Sequence, residues 1–308
     1  GATPLTFGGA VGSAAALTTL TTSTGVCAIN GGSVKTAGVQ TYGGAVTLNA
    51  DATLTASLVT FTAPVNGTQS LTIAGQTAIN GGAVTTAKKQ TYNGAVQLGA
   101  NATLTGSLVT FAGTLDGAYA LTMAGATAQT FGGAVGGAEP LASLTTGTGL
   151  SSINGGLIKT AGTQTYSGQV ALGSDAALRA SEADDGGAIR FKALLKDNGK
   201  HALTVETLKS YVVLHECSFA TGGAQLFKAS RGVRLLAAAD GVWSAGEGGI
   251  TLDAETTDLY AGCMGDAVKV TLGSDMSCRN FYFYRGKLSC SGRKIRTADD
   301  FAVWGAAY

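Results

Sequence analysis

Short apolar runs separated by glycine steps set the rhythm of this 308-residue chain. AVTL, SLVTF, SLTIA and AVTTA alternate Leu, Val or Phe with Thr or Ser, putting large side chains on one face and hydroxyls on the other. Each run spans about four to six residues, too short and too β-branched for a helix. The steps between them are NG, GG or NA, and Gly-Gly and Asn-Gly allow the positive φ of a sharp corner. The pattern predicts short strands joined by tight corners.

The runs recur. TYGGAVTL begins at Thr41, TYNGAVQL at Thr91 and TYSGQVAL at Thr165, with separations of 50 and then 74. INGG begins at Ile29, Ile79 and Ile153 with the same two spacings, and TFGGAVG at Thr6 returns at Thr130, a separation of 124. These separations approach two, three and five multiples of about 25, a stacking period that suits a solenoid. The longer spacing reads as the shorter unit plus one inserted module, which a stack tolerates because each turn packs only on its neighbours. A propeller does not accept half a blade, and tandem sandwiches need longer strands and more aromatic core. The expected fold is all-β, a parallel β-helix (β-solenoid) with coils of about 25 residues.

Composition sharpens this. The chain has 47 Gly against 3 Pro, 45% hydrophobic residues and a net charge of +1. Those values argue against disorder and collagen and give no electrostatic case for nucleic acid or an anionic membrane. No apolar run is long enough to span a bilayer, and the amino terminus has no signal-peptide pattern. It opens within a repeat, as an excised piece would. Charge is uneven: residues 1–175 hold four acidic and four basic residues, whereas 176–308 hold 15 and 16. The expected organisation is a Gly/Thr/Ala-rich β-helix over 1–175 and a diverged, more charged continuation over 176–308. A separate β-domain is the alternative for the second part, and AIRFKALLKD reads as a strand or a short helix.

The phrases INGGSVKTAGVQTYGGAVTLNADATLTASLVTF and INGGAVTTAKKQTYNGAVQLGANATLTGSLVTF resemble repeats of filamentous-haemagglutinin-like giant bacterial exoproteins. The resemblance covers about residues 1–175. It implies a right-handed parallel β-helix, export to the cell surface or medium, and adhesion or filament building. The amino-terminal secretion domain typical of such proteins is not visible in this sequence.

Candidate chemistry is sparse. Glycoside hydrolysis needs two carboxylates on one surface, and residues 1–175 offer four widely spaced ones. Asp184 with Asp185 and Asp299 with Asp300 are adjacent pairs beside turns, where neighbouring side chains point to opposite faces. His201 follows a turn, and His215 shares a strand face with Cys217 without a third group to complete a catalytic set. Five cysteines make no disulfide framework, although Cys278 and Cys290 suit successive turns; no zinc, calcium, phosphate-loop or dinucleotide motif occurs, so no metal or cofactor is expected. Lys88 and Lys89 occupy a corner of one repeat copy only and read as solubilising. In RNFYFYRGK, Phe281 and Phe283 share one face and Tyr282 and Tyr284 the other. Tyrosines facing outward between Arg279 and Arg285 would make a small aromatic and basic strip suited to sugar rings.

The leading expectation is therefore a non-enzymatic structural or adhesive module, secreted or on the bacterial surface, with a host or matrix glycan or protein as partner. The alternatives are a carbohydrate-active β-helix with its groove in 176–308, and a structural rod that stacks end to end through open strand edges.

Overall fold

Burial shows why these segments become strands. In Cys27–Ile29, Gln40–Tyr42 and Val46–Leu48 the first and third residues are buried and the middle one is half-buried. That is the two-residue period of a strand with one face on a core. The computed structural model describes residues 3–303 except 126, 182–188, 194, 197–200, 208–211, 216–218, 221–224, 230–232, 238–240, 244–249, 253–257, 264–268 and 273–274. Among the described residues every regular element is a β-strand, and every strand pairing is parallel to a strand one coil away. The expected stacked-coil β-solenoid is the fold, and AIRFKALLKD supplies the strands Ile189–Phe191 and Leu195–Lys196.

The chain divides into two compact units, Gly1–Ala142 with Thr146–Gly149, and Ser143–Thr145 with Leu150–Tyr308. The compositional change near residue 175 falls inside the second.

In the first unit each coil contributes three strands to three parallel sheets. Cys27–Ile29, Ser33–Lys35 and Gln40–Tyr42 make one coil, and Val46–Leu48 then returns to pair with Cys27–Ile29. Register fixes the coil length. Cys27, Val46, Val65 and Val84 follow one another down one sheet at 19-residue steps, the spacing that also brings Asn49 onto Asn30. The next step, from Val84 to Leu104, is one longer. The coil is thus shorter than half a repeat, the length expected above. The reason is that the sequence repeat is not a whole number of coils. One repeat holds eight strands, or two and two-thirds coils, so Gln40–Tyr42 lies on a different sheet from its repeat equivalent in Lys89–Tyr92. Halving the repeat cannot reveal a coil that the repeat does not divide into.

The second unit is less regular. Gln164, Ile189, Val212, Val233, Leu259, Phe281 and Phe301 follow one another down its longest sheet at unequal steps. The widest runs from Val233 to Leu259 and the narrowest from Phe281 to Phe301. A fourth strand set, Gly241–Trp243, Lys269–Leu272 and Lys287–Ser289, forms an additional short sheet there.

The interior is built of ladders. Tyr92 stacks on Phe111 at 5.3 Å and Phe111 on Phe131 at 5.8 Å, all fully buried. Burying each such ring stabilises the fold by roughly 1.5–3 kcal/mol. The coils are held in register by a buried polar clamp that returns in each Gln-Thr-Tyr strand. Gln90 Nε2 donates to Val84 O within its own coil and to Thr105 O in the next, while Tyr92 Oη donates to Gln90 Oε1 at 3.0 Å. Gln40 with Tyr42, and Gln164 with Tyr166, repeat the same bonds. Burial pushes all three tyrosine hydroxyls far above the usual phenol range, so they remain protonated donors. In the fourth version, Gln129 with Phe131, the aromatic ring has no hydroxyl to give.

Glycine makes the corners. The second glycine of each INGG motif, at 32, 82 and 156, has φ of 72°, 75° and 72°, where other residues are strained.

Candidate functional site: an aromatic and basic corner

Most polar side chains at the corners stitch one coil to the next. Asp51 Oδ1 accepts the Ser70 amide, Asn101 Oδ1 the Ala120 amide and Asp175 Oδ1 the Ala202 amide. These three acceptors are repeat equivalents, set apart by the same two spacings as the INGG motifs. Asp116, Asp275 and Asn280 do the same for Ala138, Lys294 and Asp300. The Ser70 amide and the Lys88 ammonium together hold the Asp51 carboxyl below its ordinary range. Lys88, expected only to solubilise, bridges Asp51 at 3.0 Å and Gln69 at 2.9 Å, whereas Lys89 is simply exposed.

The other candidates separate cleanly. Asp299 and Asp300 are exposed corner residues, and Asp184, Asp185 and Cys217 lie outside the described residues, as does the side chain of His215. His201 Nδ1 sits 3.8 Å from Asp175 Oδ1. Cys27 and Cys278 are buried free thiols and Cys290 is an exposed one, so Cys278 and Cys290 are not bonded to each other. Burial, reinforced by the nearby Asp258 charge, pushes the Cys278 thiol up to about 12, out of reach of thiolate chemistry near neutral pH. No group of three metal-ligating side chains occurs among the described residues.

The aromatic strip lies on the strand Phe281–Phe283. Phe281 and Phe283 are fully buried, Tyr282 is half-buried and Tyr284 is 48% exposed. This alternation needs only the two-residue strand period, which is why the sequence shows it. The structure adds Tyr260 from the preceding coil, which pairs in register with Tyr282. Its ring stacks on Tyr282 at 5.2 Å and on Tyr284 at 6.1 Å. Stacking turns ring faces toward one another and leaves edges and hydroxyls to face outward.

Arg279 and Arg285 take different roles. Arg279 Nε donates to Asp258 Oδ1 at 2.7 Å, and Asn280 Nδ2 donates to the same oxygen at 2.9 Å. Burial pushes the Asp258 carboxyl up, but the Arg279 and Asn280 bonds and the guanidinium charge outweigh it and hold the group below its ordinary range. The Arg279–Asp258 pair therefore braces the edge of the tyrosine ladder. Arg285 is exposed on the opposite side, at the corner where Gly286 turns with φ of 93° toward Lys287–Ser289. Lys287 follows it, exposed, and lies directly opposite the exposed Lys269 of the preceding coil.

Sequence reasoning missed Tyr260, Asp258, Lys269 and Lys287, because coils of unequal length hide which distant residues become neighbours. A local charge count gives part of the signal: residues 269–296 carry seven Lys and Arg against one acid, Asp275, in a chain of net charge +1. No protein-family model, curated protein or solved structure matches the chain.

Proposed function

We propose that this chain is a non-enzymatic structural and adhesive module of a secreted or surface-anchored bacterial exoprotein. The observation that carries the reading is the mismatch between repeat and coil in the first unit. A repeat of two and two-thirds coils deals the same side chains to all three sheets in turn, which suits a scaffold with similar sides better than one repeated catalytic face. The corner carboxylates support the same reading, since Asp51, Asp116, Asp175 and Asp275 are engaged in holding successive coils together. The resemblance of the repeats to haemagglutinin-like exoproteins supports export and surface attachment.

The test is incubation of the purified chain with a panel of polysaccharides and matrix proteins, recording retention and product release together. Retention without release is the expected result. Release of sugar from any polymer overturns the non-enzymatic reading in favour of a carbohydrate-active β-helix.

A further inference from the structure

Sheet face and corner together make a surface that differs from the rest of the described chain. Tyr260, Tyr282 and Tyr284 form the stacked ladder on one sheet. Round the corner at Gly286 stand Arg285, Lys287 and Lys269, all exposed. The Lys287 ammonium makes no hydrogen bond or ion pair with another described residue. Lys269 and Lys287 are cross-strand neighbours, and like charges directly opposite one another repel. A second like-charged register pair of the unit, Lys159 with Arg179, has an acid in the same column, Glu206, bonded to Arg179 at 3.2 Å. The nearest acids on the tyrosine sheet, Asp258, Asp299 and Asp300, lie at its other edge, where Arg279 and Asn280 engage Asp258 and Asn280 Oδ1 receives the Asp300 amide.

We propose that this corner binds a polyanionic polysaccharide, which deepens the adhesive reading above and rests on it. Arg285, Lys287 and Lys269 meet the carboxylate or sulfate groups, because their charges lie close together on an exposed edge. Tyrosine hydroxyls meet the sugar hydroxyls. Arg279 and Asp258 are positioning residues: they fix the strand edge that presents Tyr260 and Tyr282. A nucleic acid fits less well, since the ring faces that Tyr260, Tyr282 and Tyr284 turn to one another are closed to base stacking.

The experiment applies the full chain to immobilised polygalacturonate, dextran sulfate, unmodified dextran and duplex DNA, with Arg285→Ala/Lys287→Ala and Tyr284→Ala variants in parallel. All three positions are exposed, so an unchanged melting temperature shows that the variants fold. The expected result is retention on the carboxylate or the sulfate polymer that falls as salt rises, with the two arms telling which anion is preferred. The double variant binds roughly tenfold more weakly or worse, as expected for losing two charge contacts. Tyr284→Ala weakens binding while leaving the salt dependence in place. Equal retention of the double variant overturns the site, as does tighter binding to DNA than to either anionic polysaccharide. If such a chain is retained on unmodified dextran or matrix protein, the adhesive reading survives the loss of this site. Retention on nothing in either panel overturns both.

Discussion

From Cys27 through Val46 and Val65 to Val84 the first unit repeats its coil in even steps and keeps its polar specificity inside, in the Gln-Tyr clamps. The later coils of the second unit step unevenly and keep theirs at the edge, in ion pairs such as Arg279–Asp258 and Arg296–Asp275. A buried carboxamide reads the carbonyls of its own and the next coil, so it tolerates no change in strand spacing. An edge ion pair sits on long side chains and accepts coils of varying length. Regularity and a sparsely charged surface therefore go together in the first unit, as do irregularity and charge in the second. The distinctive surface accordingly lies in the second unit, where coils of unequal length gather non-repeating residues on one corner.

The largest effect expected from breaking this contrast is at Gln90. Gln90→Ala opens a void and orphans the Tyr92 hydroxyl in the core, so urea unfolding should show a loss of about 3 kcal/mol. A loss under about 1 kcal/mol would mean that the clamp does not set the register.

Next is Asp258→Ala, which leaves the half-buried Arg279 without its carboxylate and should cost about 2 kcal/mol, the scale of a hydrogen bond to a charged group. The same residue gives the second unit its acid sensitivity. The Asp258 and Asp275 carboxyls are held below their ordinary range, Asp258 as described and Asp275 chiefly by the Lys294 amide with help from Arg296. A carboxyl depressed in the folded state contributes stability that is complete above its unfolded pKa of about 4 and disappears as pH falls through the folded value. Among the described residues the first unit holds one carboxyl depressed in this way, Asp51, against these two, so pepsin at about pH 3 should cut residues 250–300 before residues 27–123; the reverse order would contradict the contrast between the units.

Smaller changes sharpen the picture. Tyr92→Phe reproduces in the second repeat copy the pairing found naturally at Gln129 and Phe131, and should cost about 1 kcal/mol with little change in fold. Thr77 is buried between Val59 and Val96 in its column, and its hydroxyl has no hydrogen-bond partner among the described residues. Thr77→Val should therefore raise the melting temperature slightly, by less than about 1 kcal/mol in stability terms.

Much of this was legible in the sequence. The two-residue alternation in SLVTF and AVTL, the glycine corners of INGG and the outward Tyr282 and Tyr284 all follow from local geometry. The recurrence of Asp51, Asn101 and Asp175 at one repeat position was also on view, as was an inward-facing Gln two places before each repeated Tyr. What stayed hidden depends on coil length. The repeat suggests two coils of equal length, and only pairing shows that it holds eight strands at three per coil. Tyr260 meets Tyr282, and Lys269 meets Lys287, across two different spacings that no repeat in that half announces.

Cross-linking reads the register of the first unit. In a chain whose five native cysteines are replaced by alanine, Thr91→Cys with Thr110→Cys places two thiols on facing positions of adjacent coils. Their strands run about 4.8 Å apart, close enough for a disulfide. Thr91→Cys with Asp116→Cys spans half a repeat instead, and Asp116 pairs with Gln97. Oxidation should close the first pair readily and leave the second open. Closure of the second pair and not the first would contradict the short coil of the first unit and the distribution of repeat residues over three sheets that follows from it.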